Sequence, residues 1–326
     1  MFLIVAFLFT GLGILLMGKG SDWLTASLIP IARRLGVSGV AVGLILVSTA
    51  VSLPEILVAV LTTMQGYLAI SLGVVLGSII CNIGLMTGFC AIIRPLKVKK
   101  SLILRDGIFS IIIPILIFAI GASGEITRLE GGALFLLFIP YLVNIFMQEK
   151  QLSPEERSKE IQEIEMELDF IGFNFGKMKA NWLSFILGTA LLLVGAHIFS
   201  QQLVWFASTL GIDELLIGLT LGALGPSLPN IFAAYKATKK GMGDIAVSET
   251  LGSNVFTLLV TLGIAAMLSP VAISSRWLSF ELPALIVMSL LLFFFLLTKQ
   301  TISRLEGAVL LGGYLGIVAI QIVIAL

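Results

Sequence analysis

The chain has 326 residues, of which 58% are hydrophobic and only 12% charged, and its formal net charge is +1. Soluble domains carry about 25% charged residues, so this composition excludes a soluble domain and indicates a protein embedded in the lipid bilayer. The balanced charge gives no indication of a nucleic-acid partner, and we expect none.

Apolar stretches recur along the whole chain. A helix needs about 20 apolar residues to span a bilayer, and by this measure we predict about ten spans. The first stretch has no basic leader and no small-residue cleavage site, so we interpret it as a spanning helix. The predicted spans lie near residues 2–17 (extending to about 30), 40–64, 69–93, 103–121, 129–147, 181–206, 212–235, 243–268, 277–297 and 305–325.

The two halves of the chain are related by an internal duplication. Ser227-Leu228-Pro229-Asn230 lies 175 residues after Ser52-Leu53-Pro54-Glu55, and a sustained register of this kind indicates a repeat. The same offset relates Gly20 to Gly195, Leu35-Gly36 to Leu210-Gly211, Gly43 to Gly218 and Gly77-Ser78 to Gly252-Ser253. Because each half holds five predicted spans, the second half must insert in the opposite orientation. We therefore predict an all-α polytopic membrane protein with two inverted five-helix repeats, at 1–148 and 181–326, joined by a linker at 149–180.

Lys and Arg are concentrated in alternate loops. They cluster at Arg33-Arg34, between Arg94 and Arg105, between Lys236 and Lys240, and between Lys299 and Arg304. The intervening loops 65–69 and 269–275 contain neither residue. Basic short loops stay in the cytoplasm, so we predict a plasma-membrane protein with both termini extracytoplasmic. The linker is then cytoplasmic, and Ser153-Pro154-Glu155-Glu156 is typical of a helix start.

Prolines interrupt the second span and its counterpart in the second half. Proline removes a backbone donor and clashes with the preceding turn, so we expect broken helices at Pro54, Pro226 and Pro229 near the middle of the membrane. Glu55 lies beside the first break, and no Lys or Arg in these spans can reach it. An ionisable residue within a span is a functional-site hypothesis, and matching interruptions in two halves indicate a transporter's binding site.

Polar side chains from both repeats are expected to meet at these breaks. The predicted ion-binding residues are Ser52, Glu55, Ser78 and Asn82 in the first repeat, and Ser227, Asn230, Ser253 and Thr257 in the second. Backbone carbonyls are further candidates at Ser48, Val51, Ala223 and Pro226. Such oxygen ligands suit a hard cation, with Glu55, Asn82 and Asn230 as the principal metal ligands. Ser, Thr and Asn also join transmembrane helices. We favour this alternative for Thr49 or Thr257 taken singly, but not for Glu55.

Two other ionisable residues leave alternatives open. Glu249 lies one helical turn before Ser253, and it is either an acid on the cation pathway or a solvated acid at a helix end. His197 is the only histidine, and such a residue is more typical of hydrogen-bonded packing than of a proton relay. The chain shows no hydrolytic constellation and no phosphate-binding loop, so we expect neither an enzyme nor an ATP-driven pump, and no cofactor.

At these residues the chain resembles the calcium/cation antiporter superfamily, in its short prokaryotic sodium/calcium exchanger form. That family carries two inverted five-helix repeats, each with a Gly-Thr-Ser-Leu-Pro-Glu segment followed by a Gly-Ser-x-x-x-Asn/Asp segment. The corresponding segments here are Ala50-Val51-Ser52-Leu53-Pro54-Glu55, Gly77-Ser78-Ile79-Ile80-Cys81-Asn82, Gly225-Pro226-Ser227-Leu228-Pro229-Asn230 and Gly252-Ser253-Asn254-Val255-Phe256-Thr257. The resemblance covers nearly the whole chain.

The resemblance implies a secondary active cation antiporter that works by alternating access, in which the first and sixth spans slide across the remaining helices. Its transported cations are Ca²⁺ and Na⁺ by family default, with H⁺ as a further candidate. The chain departs from the family pattern at Asn230, where the family has a second glutamate, and at Thr257, where an acid is common. The site therefore keeps one carboxylate. Two alternatives remain open: a monovalent cation/proton exchanger, and a non-transporting membrane scaffold derived from an exchanger.

Overall fold

Long apolar helices dominate the chain, as the hydropathy pattern predicts. The computed structural model describes residues 2–34, 40–170 and 181–325. Its helices are α1 (Phe2–Arg34), α2 (Val40–Met64), α3 (Leu68–Ile93), α4 (Ile103–Gly121), α5 (Arg128–Gln151), α6 (Pro154–Phe170), α7 (Trp182–Leu210), α8 (Glu214–Lys239), α9 (Gly243–Leu268), α10 (Trp277–Lys299) and α11 (Arg304–Ala325). Four two-residue strands connect them: β1 (Leu96–Lys97), β2 (Glu125–Ile126), β3 (Val271–Ala272) and β4 (Thr301–Ile302).

Nine helices within the described residues are long and apolar enough to cross a membrane. They are all of the helices except α2, whose apolar stretch is counted from Thr49 to Met64, and the polar helix α6. Helices α3 and α9 are the most deeply buried of the nine, whereas α1, α5 and α11 expose many large apolar side chains. The prediction of an all-α polytopic membrane protein is confirmed.

The short strands show how the two halves interlock. Strand β1 pairs antiparallel with β4, and β2 pairs antiparallel with β3. Leu96 and Val271, which begin β1 and β3, are 175 residues apart, so β1 and β3 are equivalent strands of the two halves. They lie in different sheets, and each pairs with a strand from the other half. Because α4 runs between β1 and β2, the two sheets lie at opposite ends of the helix bundle, as expected for inverted repeats.

The linker helix α6 marks one end of the bundle. It begins where the sequence predicts, because the Ser153 amide donates to Glu156 Oε2 (2.8 Å) and the Glu156 amide donates to Ser153 Oγ (3.3 Å). These bonds to Ser153 lower the pKa of Glu156. Lys99 Nζ lies 2.8 Å from Glu160 Oε1 of α6. We refer to the end that carries β1, β4 and α6 as the linker face.

The predicted breaks at the prolines are wrong in one respect, because the helices continue through them. Pro54 lies inside α2, and Pro226 and Pro229 lie inside α8. Neighbouring helices and local π-helical turns can satisfy the backbone groups that a proline releases. A π-helical segment at Gly218–Gly222 precedes Pro226 in α8. The distortion is therefore a local change of helix type rather than an interruption of the chain path.

Helices α1 and α7 pack closely through glycines. A Cβ added at Gly20 would lie 2.5 Å from the Leu192 amide nitrogen, and one at Gly195 would lie 2.6 Å from the Met17 nitrogen. Gly188 contacts the backbone of α1 at Leu24 in the same way. Small residues at such crossings let transmembrane helices approach closely, so α1 and α7 form one closely packed pair.

Two alanine substitutions on α1 are expected to have opposite effects on stability. Gly20→Ala forces backbone atoms apart and should destabilise the protein by about 1–3 kcal/mol. Gly11→Ala is the matched control, because a Cβ there meets nothing within 4 Å and alanine stabilises a helix interior by about 0.5–1 kcal/mol relative to glycine. Thermal unfolding of the purified variants measures both effects. A similar stability of the two variants would contradict the close packing of α1 on α7.

Candidate ion-binding site

Glu55 of α2 is fully buried where three helices meet. Ser227 Oγ of α8 donates to Glu55 Oε1 at 2.6 Å, and Thr257 Oγ1 of α9 donates to Oε2 at 3.2 Å. Among the residues that the structure describes, no Lys or Arg forms a salt bridge with this carboxylate. Burying an unpaired charge is costly, so the ionised form of Glu55 needs a cation at this position.

Three buried oxygens at the predicted site accept no hydrogen bond from any described residue. They are Ser52 Oγ, Asn82 Oδ1 and Asn230 Oδ1. The amide nitrogens are engaged, because Asn82 Nδ2 donates to Ser253 Oγ (3.2 Å) and Asn230 Nδ2 donates to Val51 O (3.3 Å). Buried polar atoms almost always have partners. Orphaned amide and hydroxyl oxygens are ligands that Na⁺ and Ca²⁺ accept.

All eight side chains predicted for the site are buried, and contacts link most of them. Ser78 Oγ donates within its own helix to Val75 O at 3.0 Å and also lies against the Glu55 carboxylate. Among the carbonyl candidates, Val51 accepts the bond from Asn230, and Ala223 and Pro226 are buried on α8. The side chain of Ser48 lies outside the described residues. The ion-binding role of these residues remains a prediction.

π-helical turns begin at two of the predicted ligands. Asn82 opens the π-helical segment Asn82–Thr87 of α3, and Thr257 opens Thr257–Thr261 of α9. These two residues are 175 apart, so both repeats distort at the same place. Single π-helical turns are frequent at functional sites, and here they lie on the two most buried spans.

The donor set suits a hard cation. No cluster of three or more His, Cys, Asp or Glu side chains able to hold a metal ion occurs within the described residues. One carboxylate with neutral hydroxyl and amide oxygens resembles the ligands of alkali and alkaline-earth ions rather than those of transition metals. The arrangement therefore fits an alkali or alkaline-earth cation better than a transition metal.

A threonine pair extends the polar cluster and was missed by sequence reasoning. Thr87 Oγ1 of α3 lies 2.7 Å from Thr250 Oγ1 of α9. Thr250 Oγ1 also lies 3.4 Å from the Asn82 carbonyl, so the pair adjoins a predicted ligand. The signal was present in the sequence, since Thr250 lies three residues before Ser253 and shares part of its helix face.

Glu249 is not a solvated helix-end acid. Its side chain is only 5% exposed, and it lies beside Cys90 of α3. That alternative is therefore wrong, because α3 covers the first turns of α9. His197 is exposed, with Nε2 3.1 Å from Gln201 Nε2. His197 therefore has the hydrogen-bonding neighbour that was expected, although its ring is exposed, and its hydrogen-bonded packing role stays a prediction.

Two further buried acids lie 175 residues apart, and sequence reasoning overlooked both. Asp106 forms a two-point pair with Arg105, at 2.8 Å from Nε and 2.7 Å from Nη2, and accepts a hydrogen bond from Tyr141. Glu281, which is fully buried, lies 2.9 Å from Arg276 Nε. Each acid has an arginine partner, unlike Glu55. The duplication offset could have identified the pair as equivalent positions.

A comparison with protein families identifies one match. The model of the sodium/calcium exchanger protein family matches residues 5–147 and 180–323. The two matched segments correspond to the two groups of five spans on either side of α6.

Individual proteins resemble the chain over nearly its full length. The sodium/calcium exchanger MaX1 of Methanosarcina acetivorans is 30% identical, over 97% of this chain and 98% of that protein. The inner membrane protein YrbG of Escherichia coli is 27% identical, over 93% and 92%. A solved structure of the sodium-calcium exchanger NCX_Mj is 28% identical and superposes with a TM-score of 0.67, over 97% of this chain and 98% of that one.

Proposed function

The chain belongs to the sodium/calcium exchanger family, and we propose that it is a secondary active cation antiporter whose ion site has a single carboxylate. The family consists of membrane transporters rather than enzymes. The observation that supports the proposal is the group of orphaned oxygens of Ser52, Asn82 and Asn230 beside Glu55. Glu55 can neutralise one positive charge of a bound cation. The three oxygens, which accept no hydrogen bond, can complete its coordination.

The charge of the site favours a monovalent cation over Ca²⁺. Glu55 with bound Na⁺ is neutral, and so is Glu55 with a bound proton. With Ca²⁺ a positive charge remains in a buried site, where an uncompensated charge costs several kcal/mol. Asn230 and Thr257 supply no charge where the family pattern has acids. We therefore expect Na⁺ to bind this site more tightly than Ca²⁺.

Transport would follow from motion of the α1–α7 pair against the remaining helices. The glycine contacts at Gly20, Gly188 and Gly195 hold α1 and α7 together, so they can move as one body. Exchange rather than leakage requires that the motion be allowed only when Glu55 is neutralised. With the site empty, the apolar surface of the moving pair would have to pass over the charged Glu55, and removing water from that charge is costly.

Isotope uptake into proteoliposomes tests the proposal. Purified protein is reconstituted, and uptake of ²²Na⁺ and ⁴⁵Ca²⁺ is measured against imposed outward Na⁺ and H⁺ gradients. We expect uptake of Na⁺ that depends on an opposing cation or proton gradient. Gradient-independent leakage, or no uptake of either isotope, would contradict antiport and favour the scaffold alternative.

Monovalent cation/proton exchange is the second candidate, and the loss of acids at Asn230 and Thr257 favours it. The same vesicles distinguish the two candidates. Sodium/calcium exchange requires that external Na⁺ release preloaded Ca²⁺. Cation/proton exchange instead predicts that Na⁺ added outside alkalinises the vesicle interior in the absence of Ca²⁺, because Na⁺ enters as H⁺ leaves.

The proposed topology places the linker face in the cytoplasm and both termini outside. Ser158 on α6 and Ser274, which follows β3, are exposed at opposite ends of the bundle. Cysteines introduced at the two positions should therefore label from opposite sides of the membrane, with Ser158→Cys reacting only from the cytoplasm. The native Cys81 and Cys90 are buried, so the background should be low. Labelling of both positions from one side would contradict the topology.

A further inference from the structure

A cavity on the linker face lies apart from the ion site. Its volume is about 430 Å³, within the range of about 300–1,000 Å³ typical of small-molecule sites. It lies between the α3–α4 connection, which contains β1, and the α8–α9 connection. Its lining is made of Arg94, Pro95, Leu96, Lys97, Val98, Lys99, Thr238, Gly241, Gly243 and Asp244. Three cations and one carboxylate therefore surround it.

The internal duplication shows which lining residues the fold itself needs. At the offset of 175, Ser269-Pro270-Val271-Ala272-Ile273-Ser274 corresponds to Arg94-Pro95-Leu96-Lys97-Val98-Lys99. The proline and the two apolar residues are kept, and Leu96, Val98, Val271 and Ile273 are all buried. Every cation is replaced by serine or alanine. The equivalent connection therefore forms its strand, β3, without cations at these positions.

The backbone of the α8–α9 connection makes room for Arg94. Gly241 has φ +88°, and Gly66 at the equivalent turn has φ +85°. A Cβ at Gly241 would lie 2.8 Å from Arg94 Nη1, whereas one at Gly66 would meet nothing within 4 Å. Within the part of the chain that the structure describes, neither Arg94 nor Lys97 forms a salt bridge. Both positive charges remain available to a ligand.

A buried hydroxyl is a second, independent sign of a ligand. In the first repeat, Thr63 Oγ1 donates to Ala59 O and lies 2.8 Å from Ser71 Oγ. The equivalent Thr238 has Ala246 where Thr63 has Ser71, and its Oγ1 is buried with no hydrogen-bond partner among the described residues. The Cys90 thiol is close enough to interact with this hydroxyl, but a thiol forms only a weak hydrogen bond, so the hydroxyl has no strong partner. Buried hydroxyls are normally bonded.

We propose that this pocket binds a phosphate group, carried either by an anionic lipid headgroup or by a free phosphate. A phosphate oxygen can accept from the Thr238 hydroxyl and from the forked guanidinium of Arg94, and Lys97 adds a point charge. The tendency of Lys and Arg to stay on the cytoplasmic side accounts for charge on this face. It does not account for a concave pocket with an orphaned hydroxyl. The inference is independent of the ion that the protein transports.

Thermal unfolding of the detergent-purified full chain tests the proposal with two probes, inorganic phosphate and dihexanoyl phosphatidic acid. A ligand that binds the folded state raises the unfolding midpoint in a saturable way, and chloride at equal ionic strength corrects for screening. We expect a rise with at least one probe. A rise with inorganic phosphate identifies a free anion as sufficient, and a rise with phosphatidic acid alone identifies a lipid headgroup.

Substitutions inside and outside the pocket test whether the phosphate probes bind there. The double variant Arg94→Gln/Lys97→Gln should weaken apparent affinity at least about tenfold, since each charge-assisted hydrogen bond is substantial. Lys299→Gln removes one positive charge from an exposed position on this face outside the pocket and should change nothing. Thr238→Val should weaken binding without lowering the stability of the unliganded protein, because the hydroxyl that it removes has no strong hydrogen-bond partner. Ala246→Ser restores the partner found in the first repeat and should also weaken binding. No midpoint shift with either probe, or an equal shift in the double variant, would overturn the proposal.

Discussion

Glu55→Gln is expected to abolish cation exchange in proteoliposomes and to leave the helix bundle folded. A unit charge about 4 Å from a cation contributes about 4 kcal/mol at an effective dielectric constant of 20, which corresponds to about a thousandfold in affinity. Glutamine keeps the volume and an acceptor for Ser227, and the Thr257 hydroxyl can rotate to accept from the new amide. Transport at the wild-type rate by a folded Glu55→Gln variant would contradict the site assignment.

Glu281→Gln provides the matched control for this experiment. Glu281 is as deeply buried as Glu55, but it lies 2.9 Å from Arg276 Nε and accepts from Gln321 Nε2 at 3.0 Å. Breaking a buried ion pair costs about 3–5 kcal/mol, so this variant should be less stable than wild type and still exchange cations. Glu55→Gln should show the reverse pattern, since no arginine depends on Glu55.

Asn230→Glu is expected to shift ion preference towards Ca²⁺. Asn230 Nδ2 donates to Val51 O, and its Oδ1 has no hydrogen-bond partner among the described residues, so a carboxylate here would face the same space as Glu55. Coulomb energy scales with ion charge, and a second carboxylate therefore helps a divalent ion more than a monovalent one. We expect the Ca²⁺/Na⁺ affinity ratio to rise at least about tenfold, and further when Thr257→Asp is added.

The control for charge is Asn230→Gln, which lengthens the side chain and adds no charge. Equilibrium binding of Ca²⁺ and Na⁺ to the purified variants separates the effect of the added charge from the effect of the longer side chain. An equal ratio in Asn230→Glu and Asn230→Gln would show that the charge count at this position does not set ion preference.

The helices and their pairing could be predicted from the sequence because the signals are long and regular. Spans of about 20 apolar residues have few alternative structures, and the offset of 175 constrains both halves together. The path through Pro54 could not be predicted. The position of a proline in the sequence identifies which backbone hydrogen bond is lost. Whether the helix then bends, forms a π-helical turn or breaks depends on the helices packed around it.

The sequence predicted the residues of the repeated motif at the site, but not the contacts that depend on how the helices are rotated. Glu55, Ser227 and Thr257 come from three different helices, and the repeat motif alone indicated that they would meet. The contact between Thr87 and Thr250 depends on the rotation of α3 against α9, which hydropathy does not determine. The burial of Glu249 was also missed, because counting residues from a loop ignores the neighbouring helices that cover a helix end.

Calorimetric titration of the wild-type protein with Na⁺ and with Ca²⁺ tests the single-carboxylate account most directly, with Glu249→Gln titrated beside it. The account predicts Na⁺ binding that is lost in Glu55→Gln, weak or undetectable Ca²⁺ binding, and no change in either on Glu249→Gln. Ca²⁺ binding that is lost as completely in Glu249→Gln as in Glu55→Gln would show that Glu249 supplies a second charge. Tight Ca²⁺ binding that survives Glu249→Gln would contradict the charge argument itself.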